Sequence, residues 1–263
     1  MNIIVCMKQV PASSNVKVDP VSGSLIRNSA DTKTNPYDLY ALEVALRIKE
    51  QVGGTVTVLT MGPDSAKEMI QDAYAMGADR GVILSDRKFA GSDVLATSYT
   101  LSQGIRMLGG ADLIVCGKQT TDGDTAQIGP ATAEHLTIPH AAWVKEICAA
   151  DEAGLTLRQE FTDTTQVSRM NYPCLITVDK DIMVPRLPSY RLKKATADKE
   201  VEIYSFNDLP DKDLTRCGHI GSPTSVERMF PPEGKEARTM VEGDAKQQAK
   251  AIAEVLMKKR IIA

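Results

Sequence analysis

Short apolar runs alternate with helix-like segments through residue 137, and this alternation is the feature that most constrains the fold. Each run is almost continuously hydrophobic, as strands buried on both faces of a sheet are. Strands that are separated by helices rather than by tight turns pair in parallel. The chain is therefore predicted to form a doubly wound, mostly parallel α/β sheet. The apolar runs are residues 2–7, 55–61, 81–86 and 112–117, and the helical patterns between them are 38–52, 64–78 and 92–108.

The chain changes character after residue 140. Residues 141–178 carry four short strand patterns separated by turns, which predict an antiparallel extension of the sheet. Residues 183–200 contain two prolines and a basic cluster, which indicate an exposed loop that leads into a helix or linker. A proline-rich, irregular segment over 221–236 precedes a final helix over 244–260, which could pack on its own domain or on a partner chain.

Composition excludes several classes of protein. The formal net charge of −3 argues against a nucleic-acid-binding protein, and no apolar run approaches the ~18 residues that a membrane span needs. The first residues form a strand pattern without a basic leader region, so we expect a cytoplasmic protein. The five cysteines and three histidines are scattered without metal-ligand spacing, so no metal site is expected.

The loop after the fourth apolar run is the strongest candidate for a binding site, because ligands of an open parallel sheet bind at the carboxyl ends of its strands. Gly117 and Gly123 permit close approach of the backbone to a ligand. A helix that begins near Thr125 or Ala126 would point free N–H groups at the loop, as a pyrophosphate requires. The four loops that this rule nominates are residues 8–15, 34–38, 61–63 and 117–130.

A simple turn is the alternative interpretation of the same loop. Asp122 and Gly123 form a common turn pair, and Asp124 or Thr125 could cap the next helix. A bare connection from strand to helix needs only about two residues. This loop is longer than that, and its length favours a bound ligand. We expect Asp122 and Asp124 to fix the shape of the loop, to bond ribose hydroxyls or to cap backbone N–H groups. The chain shows no nucleophile–base pair, so any redox chemistry requires a bound cofactor.

Six motifs together resemble the β subunit of electron-transferring flavoprotein, over nearly the whole chain. They are VCMKQVP at the start, TNPYDLYALEVALRIKE, VLTMGP, AYAMGADRGVIL, GKQTTDGDTAQIGP and PCLITV. The resemblance implies a heterodimer with a larger α subunit that carries its own FAD. It also implies a Rossmann-like, adenine-nucleotide-binding domain over 1–182, a partner-recognition segment over 183–200, and a C-terminal arm over 201–263 that packs on the α subunit and on its own domain.

Two branches of this family differ in the loop at 117–130. In the mitochondrial-type branch the loop is richer in aspartate, an asparagine precedes the glutamine, and the β subunit holds AMP. Here Ala126 precedes Gln127, and Gly123 stands within the loop. This pattern resembles the anaerobic, electron-bifurcating branch, whose β subunit holds a second FAD that takes hydride from NADH. One electron then passes to ferredoxin or flavodoxin, and the other passes through the α-subunit FAD to a flavin-dependent dehydrogenase of the acyl-CoA or 2-hydroxyacid type.

The resemblance also implies which residues bind the nucleotide. The adenosine end is expected to contact Cys6 and Lys8 after the first strand, Asn35 before the first helix, and Met61. Lys8 could equally be a solvated loop lysine. Asn35 could be a turn residue before Pro36, but its position at a strand-end crevice favours contact with the ligand. The residues expected to hold ribose and pyrophosphate are Thr120, Thr121, Asp122, Gly123, Asp124, Thr125, Ala126, Gln127 and Ile128.

The segment RLPSYRLKK (186–194) resembles the loop with which the family docks on a partner dehydrogenase. The resemblance assigns this docking to Leu187, with Tyr190 and Leu192 nearby. Without it, an ordinary surface linker would be the simpler interpretation. The basic residues expected to rim these apolar side chains are Arg186, Arg191, Lys193 and Lys194.

Two other functions remain open from the sequence. The chain could be a redox-inert subunit in which AMP is structural. It could also be a stand-alone adenine-nucleotide sensor that resembles universal stress proteins, which share this type of sheet. The strands after residue 140, the docking-like segment and the C-terminal helix disfavour the sensor, because a small sensor needs none of them.

Overall fold

The computed structural model describes residues 1–12, 32–227 and 240–262. The chain divides into two compact units, Met1–Glu227 and Arg228–Ala263. Part of the loop nominated at 8–15 and part of the proline-rich segment at 221–236 lie outside the described residues.

The described part of the first unit alternates strands and helices as the sequence predicts. Its strands are β1 (Asn2–Cys6), β2 (Gln9–Pro11), β3 (Thr32–Thr34), β4 (Thr55–Met61), β5 (Arg80–Leu84), β6 (Leu113–Gly117), β7 (His140–Ala150), β8 (Gly154–Glu160), β9 (Thr165–Asn171), β10 (Cys174–Val178) and β11 (Glu202–Tyr204). Its helices are α1 (Pro36–Val52), α2 (Lys67–Met76), α3 (Val94–Met107), α4 (Ile128–Leu136) and α5 (Tyr190–Ala195).

One large sheet organises this unit, with the strand order β11-β5-β4-β1-β6-β10-β7-β8-β9. The pairs from β11 to β7 are parallel, and those from β7 to β9 are antiparallel. Alternate residues of the central strand β1 face opposite layers: Ile3 and Val5 pack with α1 and α2, whereas Ile4 and Cys6 pack with α3 and α4. The predicted doubly wound sheet, with helices on both faces, is confirmed.

The position of β10 differs from the prediction. The sequence analysis grouped all strands after residue 140 into an antiparallel extension, and this is confirmed for the pairs β7–β8 and β8–β9 only. β10 instead inserts between β6 and β7, parallel to both. All five of its residues are buried. It is therefore an interior strand with both faces covered, and it lacks the alternation of an edge strand.

The strand β11 extends the opposite edge of the sheet, parallel to β5. A bidentate ion pair fixes it there: Nε and Nη2 of Arg80 donate to the two carboxylate oxygens of Glu202 at 2.6 and 2.7 Å. β11 therefore lies within the first compact unit, Met1–Glu227. Three residues are too few to give a recognisable strand pattern.

The helices α2 and α3 differ in how their first turns are capped. Asp64 and Ser65 do not cap α2, because they lie in a 3₁₀ turn and the Asp64 carboxylate accepts a hydrogen bond from the Ser85 hydroxyl at 3.1 Å. Asp93 does cap α3 by accepting from the Ala96 N–H at 3.1 Å.

The described part of the second unit contains one helix, α6 (Ala245–Lys258). Asp244 and Gln247 form a reciprocal capping box at its start. No residue of α6 is buried among those that the structure describes. Within the described ranges, no helix has both the length and the hydrophobicity needed to cross a membrane.

Candidate functional site

The candidate site lies at the carboxyl ends of β1 and β6, where the order of the sheet reverses. From β1 the chain goes first to β4 on one side, and it returns later to β6 on the other. Loops that diverge from such a switch point leave a crevice in which doubly wound sheets bind their ligands. Cys6 ends β1 and Gly117 ends β6, so the predicted loop of residues 117–130 borders this crevice.

Asn35 joins the start of α1 to this loop. Its side chain is fully buried (0% exposed). Nδ2 donates to the Gln119 carbonyl at 2.9 Å, and Oδ1 accepts from the Thr121 N–H at 3.2 Å. Asn35 therefore holds the backbone of the predicted binding loop, and its alternative role as a simple turn residue does not account for these two bonds.

Asp38 lies beneath the crevice and was not singled out from the sequence. The carboxylate is buried and accepts from the Lys8 N–H at 2.7 Å. Burial raises the pKa of Asp38 to about 7, although hydrogen bonds from Asn35 and from the N–H groups of Lys8 and Gly117 lower it in part. The sequence feature that could have indicated Asp38 is its position in the nominated segment 34–38, two residues after Pro36.

Lys8 closes the crevice from the β1 side. Its Nζ lies 2.6 Å from Oδ2 of Asp122, and the other carboxylate oxygen of Asp122 accepts from the Gly123 N–H at 2.8 Å. Burial by itself raises the pKa of Asp122, but hydrogen bonds from Lys8 and Thr120 outweigh it and leave the pKa below its usual value. Asp122 is thus an ionised side chain that fixes loop shape, as the sequence analysis expects, and Lys8 is its partner.

The backbone of the loop is held in an unusual conformation. Asp124 and Ala126 have positive φ angles of 53° and 56°. The Asp124 N–H donates to the Thr120 carbonyl at 3.0 Å, and the Gln119 side chain donates to the Asp124 carboxylate. A left-handed residue other than glycine costs about 1–2 kcal/mol, and such strain concentrates at ligand-binding loops.

The helix that follows begins at Ile128, two residues later than the latest predicted start. The left-handed backbone at Ala126 delays it, and Gln127 occupies the N-cap position. Neither Asp124 nor Thr125 caps it, and no side-chain cap is present within the described residues. The N–H groups of Ile128 and Gly129 therefore have no partner within the helix.

An uncapped helix start beside a glycine-containing loop fits a phosphate-bearing ligand. The free N–H groups and the positive end of the helix dipole favour an anion there. Gly129 lets this end approach the sheet, because a β-carbon at that position would collide with the Thr177 side chain on β10. Gly123 faces open space, where a β-carbon would meet only the Thr120 hydroxyl, at 3.9 Å.

The remaining predicted residues surround the same crevice. Cys6 is buried beside Cys116, its register partner on β6, and the hydrogen bond between the two thiols together with burial raises the pKa of Cys116 well above its usual value. Met61 is half-buried at the end of β4. Within the loop, Thr120, Ala126 and Ile128 are half-buried, and the exposed residues are Thr121, Asp122, Gly123, Asp124, Thr125 and Gln127.

A second charged group at this edge was missed in the sequence analysis. The buried Asp179 carboxylate follows β10 and accepts from Lys118 at 3.1 Å and from Lys145 at 2.9 Å. Burial raises the pKa of Asp179, but the two lysines outweigh this effect and lower it. The Lys118 Nζ also lies 4.6 Å from the centre of the Trp143 ring. The only sequence feature that could have indicated this charged group is the position of Lys118, directly after Gly117 in the loop.

The docking-like segment lies at a different place, on α1 and α2. Leu187 and Tyr190 are 88% and 83% exposed, and Leu192 is 37% exposed. Arg186 does not belong to the predicted basic rim, because its guanidinium bonds Glu43 and Glu50 on α1. Over the ranges that the structure covers, no three His, Cys, Asp or Glu side chains are grouped to hold a metal ion.

Comparison with known proteins gives consistent matches over the full chain. The electron transfer flavoprotein domain matches residues 22–209. The protein named FixA from Azorhizobium caulinodans is 42% identical over 99% of this chain and 95% of its own length. The electron transfer flavoprotein subunit beta of Clostridium acetobutylicum is 40% identical over 100% of both chains. Subunit CarD of the caffeyl-CoA reductase-Etf complex of Acetobacterium woodii is 39% identical over 100% of both chains.

Proposed function

Because the chain belongs to the electron transfer flavoprotein family, among relatives of its β subunits, we propose that it is the β subunit of a cytoplasmic heterodimer with a larger α subunit. In this proposal the crevice holds FAD. A flavin bound there would supply the chemistry of accepting hydride from NADH, and of transferring one electron to ferredoxin or flavodoxin and the other, through the α-subunit FAD, to a partner flavin dehydrogenase.

The observation that carries the proposal is the uncapped start of α4 beside the loop fixed by Asn35 and Lys8. The N–H groups of Ile128 and Gly129 would bond the pyrophosphate. The ion pair between Lys8 and Asp122 offsets the negative charge that the loop would otherwise present to phosphate. The chain's own contribution is thus to bind and orient the nucleotide, while the redox chemistry belongs to the cofactor.

The choice of FAD over AMP depends on Gly123 and Ala126. The left-handed conformation of Ala126 is one that asparagine tolerates better than alanine. The asparagine of the AMP-holding branch would therefore suit this backbone. Alanine keeps the same strained conformation and offers no polar side chain to a ligand. Gly123 likewise leaves the loop with one fewer carboxylate than an aspartate would supply. A subunit that holds structural AMP is the alternative.

The partner class is proposed on two supports. The exposed side chains Leu187, Tyr190 and Leu192 form an apolar surface suited to docking. One relative at 39% identity is named as a subunit of a complex between an Etf and a CoA-ester reductase. A flavin dehydrogenase of the acyl-CoA or 2-hydroxyacid type is accordingly the partner proposed here.

Flavin and AMP content of the purified heterodimer tests the proposal. After denaturation we expect two FAD and no AMP per heterodimer, because each subunit contributes one site for FAD. The matched variant Gly123→Asp/Ala126→Asn is expected to lose the β-subunit flavin while the α-subunit flavin remains. One FAD with one AMP in the unaltered protein would contradict bifurcation and favour the AMP alternative. Nucleotide bound by a homodimer of this chain alone would favour the sensor.

A further inference from the structure

A buried ion pair joins the docking segment to α1. The Glu43 side chain is 0% exposed. Its Oε2 accepts from Nε of Arg186 at 2.8 Å and from the Arg186 backbone N–H at 3.0 Å, and its Oε1 accepts from Nη2 at 3.1 Å. Nη1 of Arg186 also lies 2.6 Å from Oε1 of Glu50. Both the side chain and the backbone of Arg186 are therefore fixed to one helix.

A second set of contacts fixes the segment to α2. The Ser189 N–H donates to the Ala75 carbonyl at 2.8 Å, and the Ser189 hydroxyl accepts from the Leu192 N–H at 3.4 Å at the start of α5. Further along, the Tyr74 hydroxyl donates to the Glu200 carbonyl at 2.8 Å. The segment is thus held near both of its ends.

Only Leu187 and Pro188 lie between the anchored residues Arg186 and Ser189. Leu187 is the most exposed large apolar side chain in the described ranges, and Tyr190 follows one residue after the second anchor. Exposed apolar side chains on an ordinary loop would sample many positions. Here the backbone on either side is fixed, so less conformational entropy remains to be lost when a partner binds.

We propose that Glu43 is a positioning residue for partner docking: its bonds to Arg186 fix the backbone that presents Leu187 and Tyr190 to a flavin dehydrogenase. The surface on that dehydrogenase is an apolar pocket with an acidic rim, because Arg191 and Lys194 flank the apolar side chains. This inference rests on the partner class proposed above. Burial raises the pKa of Glu43, but the hydrogen bonds from Arg186 and Arg47 outweigh it and lower the pKa, so the carboxylate is ionised at neutral pH.

The variant Glu43→Gln in the complete heterodimer tests the inference. It removes the charge and leaves an amide of the same size. We expect the KM for the partner dehydrogenase to rise about fivefold, which is the effect of one lost hydrogen bond. We expect the flavin content, and the kcat measured with saturating partner, to stay unchanged. We also expect faster trypsin cleavage after Arg191 and Lys193, because the segment is no longer fixed.

Arg47→Gln is the matched control. Arg47 bonds the same carboxylate at 2.8 Å, but its side chain is 61% exposed and lies on α1 itself, outside the docking segment. We expect this variant to leave both the KM and the trypsin cleavage rate unchanged. If Glu43→Gln does not fold, Arg186→Lys weakens the same pair from its partly exposed side, because one ammonium cannot replace the bonds from Nε, Nη1 and Nη2, and it is expected to raise the KM.

The outcomes separate this inference from the proposed function. If Leu187→Ala raises the KM while Glu43→Gln and Arg186→Lys change neither the KM nor the cleavage rate, the positioning role is wrong and the docking surface stands. If Leu187→Ala and Tyr190→Ala also leave the KM unchanged, the docking surface itself is wrong. A loss of flavin in Leu187→Ala would place this segment at the cofactor and overturn both.

Discussion

Asp38 is a buried ionisable side chain next to the crevice, and its protonation affects the stability of the fold. It lies on the first turn of α1, accepts a hydrogen bond from the Lys8 N–H, and is buried below the loop that Lys8 helps to close. With a pKa raised to about 7 by burial, this carboxyl holds a proton at slightly acidic pH and loses it near neutrality.

Asp38→Asn is expected to change the pH dependence of stability. Below about pH 4 the aspartate is protonated in both the folded and the unfolded chain. Between pH 4 and the folded pKa of about 7, only the folded chain retains the proton. The contribution of Asp38 to the free energy of unfolding therefore falls by about 1.4 kcal/mol per pH unit in this window. Asparagine has no such loss.

Urea unfolding of both proteins between pH 4 and pH 8 measures this effect. The free energy of unfolding of Asp38→Asn minus that of the unaltered protein is expected to increase up to about pH 7 and then to level off. A difference that stays constant with pH would show that Asp38 has an ordinary pKa in the folded protein.

At the scale of elements, the loop between β6 and α4 is shaped by residues from other elements. Asn35 holds it from the start of α1, and Lys8 holds it from the end of β1. The short antiparallel pair β2–β3 supports this arrangement, because the Asn35 N–H donates to the Lys8 carbonyl at 2.9 Å. The crevice is therefore preformed by three connected segments.

Asn35→Ala is expected to loosen this element without affecting the sheet. The change leaves the Gln119 carbonyl and the Thr121 N–H without their partner, which costs about 1–3 kcal/mol for each group that remains buried. Thermal unfolding is expected to show the loss of stability, and nucleotide content after purification is expected to fall. Gln119→Ala is the comparison variant: it retains the backbone carbonyl that Asn35 bonds and removes only the side-chain bond to Asp124, so smaller effects are expected. Equal effects of the two variants would contradict the anchoring role.

The elements that the sequence predicted are those that depend on local patterns. The four apolar runs and the helices between them follow from the periodicity of their own residues. The errors concern features that depend on distant residues. The start of α4 is delayed by a backbone conformation that Asn35 and Thr120 stabilise, β10 is placed by its pairing with β6, and β11 is held by the ion pair between Arg80 and Glu202.

The same distinction applies to the candidate site. The sequence and the family resemblance together predict one crevice for the loop residues, because the carboxyl ends of parallel strands meet at one edge. They did not predict Asp38, or Asp179 with its two lysines, since burial and distant partners define these groups. Arg186 was assigned to a solvent-exposed rim because its partner Glu43 lies 143 residues away in the chain.

At the scale of the whole molecule, the helix α6 carries an exposed apolar face. Ile252 and Val255 are each about half exposed on one side of α6. Glu254 lies on the opposite side. In the proposed heterodimer, we expect this face to pack on the α subunit.

The double variant Ile252→Lys/Val255→Lys is expected to weaken assembly of the heterodimer. Burying each of these side chains contributes about 1.5–3 kcal/mol, which the charged replacements remove. Size-exclusion chromatography with a dilution series measures the dissociation constant, and the unfolding midpoint of the isolated chain checks that the fold is intact. Glu254→Lys on the opposite side is the control. Unchanged association of the double variant would exclude this face from the heterodimer interface.

The insertion of β10 between β6 and β7 has a consequence for how the protein is made. β6 is complete at residue 117, but its neighbour on one side ends only at residue 178. During synthesis on the ribosome, β7, β8 and β9 emerge first, and the space beside β6 stays open until β10 arrives. Gly129 rests on Thr177 of β10, so the start of α4 reaches its final position only then. The crevice is therefore completed only after β10, which ends at Val178, has left the ribosome, and a chain truncated before β10 is expected to lack nucleotide affinity.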